Sequence, residues 1–347
     1  MRERDTLLTT DEPTDEPLLE MNDLDVTFHT RRGAVEAVNG VDLEVRKGEI
    51  LCVVGESGSG KSVTVQSIVD LVPQPPGEIS GEIIFKDTDL RSLKKRQLRK
   101  VRGDEIGVVF QDPMSSLNPV HSVGRQITEG MLAHNDYGKD EARERAVELM
   151  DRVGIPEADA RFGDFPFEFS GGMRQRVMIA IALANQPDLL IADEPTTALD
   201  VTIEAQVLSL IREFCEEYGM SVVWITHDFG VVAEIADRVA VMYAGNIVEK
   251  AEVYEIFDNP KHPYTVGLME SIPGARGEYD RLEPVEGEPP DQLDLGAGCR
   301  FRERCPEAMD HCGDAMPPAY AVETEVRGDH GVRCYLYEDE TGDGSDE

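Results

Sequence analysis

The sequence predicts an α/β fold: a parallel-sheet core joined by an antiparallel β subdomain, a helical subdomain and a small cysteine-containing C-terminal extension. Three observations point there. The apolar runs Ile50 to Val54, Leu189 to Glu194 and Ser221 to Thr226 have the continuous hydrophobicity of strands buried on both faces. Leu24 to Phe28 and Val41 to Val45 alternate apolar and polar residues instead, as half-exposed strands of a second, antiparallel sheet do, with Gly33 at the hairpin turn. Between Asp112 and Pro187 the apolar spacing becomes helical, as in Glu141 to Met150, which is stopped by Gly154 and Pro156.

Taken in order, residues 1–19 are acidic, contain proline and lack an apolar period, so they read as a mobile tail, and the folded part starts near Leu24. Ile50 to Val54 leads into Gly55-Glu56-Ser57-Gly58-Ser59-Gly60-Lys61-Ser62, and Ser62 to Leu71 continues as a helix. Strand, glycine loop and helix form the setting in which this spacing binds phosphates. Backbone N–H groups wrap the anion, Lys61 reaches the terminal phosphates, and the Ser62 hydroxyl holds magnesium. The helix N-terminus adds partial positive charge. The basic cluster Lys94 to Lys100 reads as a solvated helix face. Tyr243 to Val248 suggests a last hairpin, Gly274 to Pro290 a linker or extended arm, and no internal repeat is found.

The strand ending at Asp193 and Glu194 delivers adjacent carboxylates, suited to holding magnesium (Asp193) and orienting an attacking water (Glu194). The strand before His227 ends at an imidazole placed to touch the γ-phosphate. These residues describe ATP hydrolysis with Lys61, Glu194 and His227 as its catalytic groups.

On these strings, and on Ser170-Gly-Gly-Met-Arg-Gln175, the chain resembles the ATP-binding subunits of ABC transporters, over roughly residues 20–260. The resemblance implies an ABC-type P-loop ATPase fold with its helical subdomain at about 112–186. It makes Ser170, Gly171, Gly172 and Gln175 the residues that grip an ATP held by a partner subunit. It also makes Gln111 a magnesium-sensing contact and Ala198-Leu199-Asp200 an interface loop. Many members stack an aromatic residue on adenine; here Arg32 stands before Gly33, with Phe28 nearby. An arginine plane also stacks on a base.

Gly55 to Ser62, Phe110 to Pro119, and His262-Pro-Tyr-Thr265 followed by Ile272-Pro273 look like the dipeptide/oligopeptide branch of importers. That branch implies a peptide cargo, with nickel or oligosaccharides as alternatives. It also implies a second ATP-binding subunit (a heterodimer), two membrane permease subunits, an external substrate-binding protein, and a peripheral position on the cytoplasmic face of the cell membrane. Its C-terminal extension, here 261–336 before an acidic tail 337–347, carries four cysteines. Cys299, Cys305, Cys312 and Cys334 have five, six and 21 residues between successive members. Four thiolates at such spacing enclose a 4Fe-4S cluster or a tetrahedral zinc, or stay as free or disulfide-linked thiols, and the resemblance favours the cluster. Cys52 and Cys215 read as buried small hydrophobes.

Composition bounds the rest. No run of eighteen uncharged apolar residues exists, and Met1 to Asp5 lacks a signal-peptide core, so a soluble protein attached to membranes through partners is expected. A soluble ABC ATPase without membrane partners is the other class. The chromosome-organising class needs a long coiled coil between Lys61 and Ser170, which the sequence does not hold. The net charge of −35, from 69 acidic against 34 basic residues, makes nucleic acid a poor partner. Spread along the chain, this acidity suits a protein hydrated in concentrated salt, and a halophilic source is inferred.

Overall fold

The computed structural model describes residues 14–111, 116–197, 199–271, 285–293, 295–324 and 329–341. Strands β1 (Thr14–Thr30) and β2 (Gly33–Lys47) form a long antiparallel hairpin whose turn pairs Thr30 with Gly33. Strand β3 (Ile50–Val54) is buried throughout and runs through the glycine loop into α1 (Lys61–Ile68). Strands β4 (Gly77–Phe85) and β5 (Thr88–Asp89) complete the antiparallel sheet in the order β2-β1-β4-β5. Helix α2 (Lys95–Asp104) carries the basic cluster with only Leu98 turned inward, the solvated face expected of it, and leads to β6 (Ile106–Val109).

Among the described residues four α-helices follow: α3 (Val123–His134), α4 (Lys139–Arg152), the one-turn α5 (Ala158–Arg161) and α6 (Gly171–Leu183). The apolar stripe of α4, Ala142, Ala146, Leu149 and Met150, is buried against them, and Gly154 ends it at φ +76°. The chain then alternates strand and helix: β7 (Leu189–Asp193), α7 (Val201–Tyr218), β8 (Ser221–Ile225), α8 (Phe229–Ile235) and β9 (Arg238–Tyr243). Strand β10 (Asn246–Glu252) turns back through Ala244 and Gly245, both at positive φ, and α9 (Val253–Asp258) and α10 (Pro263–Glu270) follow. Two-residue strands β11 (Tyr320–Ala321) and β12 (Gly331–Val332) end the main sheet, which runs β11-β12-β10-β9-β3-β8-β7-β6.

Neighbours from β9 to β6 pair in parallel, so the C-terminal ends of β3, β8, β7 and β6 share one sheet end. One core lies between this sheet and the helical layer, around Trp224, Phe214 and Met131; the other lies between the two sheets, around Leu19, Leu51 and Ile83. Cys52 is fully buried in β3 and Cys215 packs from α7 on the first core, as small hydrophobes do.

Three boundaries differ from the sequence reading. Strand β1 begins at Thr14 and buries Leu18 and Leu19, so 14–19 belong to the sheet; an acidic, proline-bearing segment is held by pairing to β2 and burial of two leucines. The segment read as a linker is packed where it is described, Val285 meeting Gly267; just beyond its end Leu293 bridges Val35. Residues 274–284 of it lie outside the described residues. A 3₁₀ helix, Tyr335–Thr341, occupies the start of the segment assigned to an acidic tail.

Candidate functional site

The parallel sheet delivers the phosphate-loop, Gln111, Asp193, Glu194 and His227 groups to one crevice at its strand ends, where ligands bind in open α/β sheets. Gly55 follows β3, Gln111 follows β6, Glu194 follows β7 and His227 follows β8. In the glycine loop, Gly60 sits at φ +107° against the Ala37 carbonyl, where a Cβ has no room. Lys61 is buried, and its Nζ donates to the carbonyls of Gly55 (2.7 Å) and Glu56 (2.9 Å) and to Ser59 Oγ (3.4 Å). Burial lowers its pKa, opposed by Glu194, Asp193 and Glu56. The Ser62 hydroxyl donates to Asp193 Oδ1 at 3.1 Å. Burial raises the Asp193 carboxyl, and the Ser62 bond only partly offsets it.

Glu194 is the hub. Gln111 Nε2 donates to its Oε2 at 2.9 Å, Thr197 Oγ1 approaches the same oxygen at 3.4 Å, and His227 Nδ1 lies 3.2 Å from Oε1. Its backbone takes φ +47°, unusual for a carboxylate residue, and is tied by its N–H to the Ile225 carbonyl (3.0 Å). The strained turn aims the side chain across the strand ends.

Ser170 caps α6, its hydroxyl accepting from the Met173 N–H at 3.3 Å, and Ser170 and Gly171 are exposed at the helix start. Gln175 departs from the reading that grouped it with them as a contact to a partner's nucleotide. It is fully buried, and its Nε2 donates to the carbonyls of Pro195 and Glu194 in its own chain. One helical turn inward from an exposed N-terminus, position 175 faces the core. Asp200 caps α7 by accepting from the Ile203 N–H at 3.1 Å; Ala198 lies outside the described residues. Arg32 is exposed at the β1–β2 turn, 3.4 Å from Asp291, and Phe28 packs against the inter-sheet core.

Cys299, Cys305, Cys312 and Cys334 line one cavity with His262, Phe301 and Arg302. Backbone N–H groups of Phe301 and Arg302 point at the Cys299 sulfur, that of Glu307 at Cys305 and that of Leu336 at Cys334. Burial raises the Cys299 and Cys305 thiols and pushes Cys334 up to about 11, and each feels the charge of its neighbours. Among the described residues no three His, Cys, Asp or Glu side chains converge closely enough for a single metal ion.

Sequence reasoning missed three neighbours of the glycine loop. Tyr264 Oη accepts from the Glu56 N–H (3.0 Å), Gln292 Nε2 donates to the Gly58 carbonyl (2.6 Å), and Arg304 pairs with the Glu56 carboxylate. Tyr264 lay inside a noticed string, but nothing in the spacing of Gln292 or Arg304 ties them to residues some 240 positions earlier.

A glycine loop, an Asp-Glu strand end, a serine-capped helix and a terminal histidine arranged on one sheet define an ATP-binding cassette. The match of residues 38–197 to the ABC transporter family model and of 248–312 to the oligopeptide/dipeptide transporter C-terminal region agrees. The chain belongs to the oligopeptide/dipeptide family of ABC transporter ATP-binding proteins. It is 51% identical over 324 residues to the oligopeptide transport ATP-binding protein AppD of Bacillus subtilis, covering 93% of this chain and 98% of that one. It is 53% identical over 322 residues to OppD of the same organism, an oligopeptide transport ATP-binding protein, covering 92% and 88%. Among solved structures, the dimeric post-hydrolysis state of the ATP-binding cassette MJ0796 bound to ADP and Pi superposes with a TM-score of 0.62 at 29% identity, over 68% of this chain and 98% of that one. No helix among the described residues is long and apolar enough to cross a membrane.

Proposed function

We propose that this chain is the ATP-hydrolysing subunit of a peptide importer, peripheral on the cytoplasmic face of the membrane. In this reading it pairs with a second ATP-binding subunit and drives two permease subunits supplied by an external binding protein. The observation that carries the reading is Glu194, held between Gln111 and His227 at the strand ends beside Lys61 and Asp193. Lys61, stripped of water by burial, exchanges two backbone carbonyls for phosphate oxygens of the substrate. Glu194 takes the proton of the attacking water, Gln111 and His227 fix its two oxygens, and His227 stabilises charge on the transferred group. Ser62, Asp193 and Gln111 form a hard-oxygen set that fits a divalent cation, the burial of the Asp193 carboxyl being only partly offset by Ser62 and Lys61. Magnesium there supplies neutralisation of the phosphate oxygens.

The exposed start of α6, with Ser170 and Gly171, offers its N–H groups to a partner's phosphate, which makes the active unit a dimer; Gln175 shapes the Glu194 turn from beneath. We read Asp200 as the residue facing the partner and Arg32 as the adenine contact. The exposed, stacked pair Phe165 and Phe167 (centroids 5.8 Å apart) and the exposed Val120 suit docking of the permeases on the helical layer.

The four thiols fit a 4Fe-4S cluster by donor softness and by the N–H groups aimed at three of the sulfurs, an environment that stabilises cluster-bound thiolates. Iron and sulfide near four per chain in anaerobically purified protein supports the cluster; one zinc overturns it.

ATP-dependent uptake of labelled peptides by vesicles holding the chain with its permeases tests the function. Hydrolysis with uptake of nickel or oligosaccharide instead would change the cargo. Hydrolysis with no membrane partner would point to a soluble ATPase.

A further inference from the structure

The glycine loop is held from outside the cassette core at Gly58, by Gln292, and most extensively at Glu56. Glu56 gives its carbonyl to Lys61 Nζ at 2.9 Å and its N–H to Tyr264 Oη at 3.0 Å. Its carboxylate takes both arms of Arg304: Nη1 to Oε2 at 2.8 Å and Nη2 to Oε1 at 3.0 Å. The remaining donors of that guanidinium go to Tyr243 Oη (3.2 Å), the Val285 carbonyl (3.2 Å) and the Glu286 carbonyl (2.9 Å). All five N–H groups are therefore placed, on a side chain only 6% exposed, with the Tyr243 and Phe301 rings packed against it.

Arg304 precedes Cys305, and the turn that carries it is closed by the Arg302 N–H to the Cys299 carbonyl (3.2 Å) and the Arg304 N–H to the Phe301 carbonyl (2.9 Å). The stretch that positions Arg304 is thus the stretch that positions two of the four thiols. Phe301 belongs to both, lining the thiol cavity and meeting the Tyr243 ring edge-on and the Tyr264 ring at a tilt.

We infer that Arg304 is a positioning residue of the phosphate site: through Glu56 it fixes the carbonyl that parks Lys61 and the shape of the loop that receives the nucleotide. It thereby makes nucleotide affinity depend on the order of the Cys299–Cys305 turn. This rests on the ATPase reading above. A bidentate, charge-assisted pair has directional demands that a lysine cannot meet. Coupling between two sites is reciprocal, so a bound nucleotide also stabilises the turn.

The test is equilibrium binding of ADP to the intact chain, with thermal unfolding measured alongside. Arg304→Gln and Glu56→Gln are each expected to weaken ADP by about tenfold, the loss typical of one charge-assisted pair, with Arg304→Lys between. The double variant is expected to lose no more than either single one, because both remove the same interaction. A purely structural role would lower the melting temperature while leaving the ADP affinities within about twofold, or would give additive losses; either result overturns the inference. Should Arg304→Gln fail to fold, Glu56→Gln carries the test, since it leaves the Val285, Glu286 and Tyr243 contacts in place. An unaltered chain that binds no ADP would instead sink the ATPase reading itself.

Discussion

Glu194→Gln separates a catalytic role for the hub carboxylate from a structural one. The amide keeps the side-chain shape, and the network tolerates it. Its oxygen can accept from Gln111 Nε2, which lies 2.9 Å from Oε2, and its NH₂ can donate to a neutral His227 Nδ1, which lies 3.2 Å from Oε1. No buried donor or acceptor is orphaned, so the melting temperature should hold. The amide cannot take a proton from water. Losing a positioned base costs about 10²–10⁴ in rate, or roughly 3–5 kcal/mol of barrier. Phosphate release at saturating Mg-ATP should fall by that factor while nucleotide binding persists. Glu194→Ala should lose turnover and also stability, because Gln111 and His227 lose their partner. A Gln variant that keeps more than about a tenth of the turnover would refute the base assignment, and one that melts like the Ala variant would refute the network argument.

Gly60→Ala should weaken nucleotide binding and destabilise the loop by at least about 1–2 kcal/mol, because φ +107° is strained for an L side chain and the Ala37 carbonyl blocks the Cβ; calorimetric binding and unfolding check it. Arg238→Gln should destabilise by about 3–5 kcal/mol by stranding Glu49, 1% exposed and 3.0 Å from the guanidinium. Burial already raises the Glu49 carboxyl, with Arg238 opposing it. In the variant the carboxyl is raised further, so the deficit should shrink as pH falls and Glu49 takes a proton, and grow as pH rises through its folded pKa; urea unfolding at several pH values reads this. With a net charge of −35, the chain should melt at higher temperature as potassium chloride screens its self-repulsion. Indifference to salt would remove that effect as a stability term.

The core strands were legible because burial on both faces writes a continuous apolar run, as in Ile50 to Val54 and Ser221 to Ile225, both buried at every position. The Tyr243 to Val248 hairpin was legible from its turn residues. Glu194 was legible as a carboxylate at a strand end, but its positive φ and its grip by Gln111 were not, since they depend on which strands become neighbours. The short β11 and β12 carry no periodicity to read; β12 pairs because β10 presents open backbone groups to it, and β11 pairs in turn with β12. The burial of Gln175 was hidden for a similar reason. A helical string gives spacing, while the direction each position faces is set by what packs around the helix, here the Pro195 turn.

The pairing of β12 with β10 at Glu249–Val332 and Lys250–Gly331 bears on how this chain can be divided. A chain ending after Glu270 would leave β10 with a row of unsatisfied amides and carbonyls, a template for adding a strand from another molecule. It would also strip the buried Glu249 carboxylate of His330, its neighbour at 2.7 Å. The segment after Glu270 therefore acts as a seal on the sheet, and shortened versions should self-associate. The cassette and its C-terminal segment are thus expected to be kept or lost together when the chain unfolds.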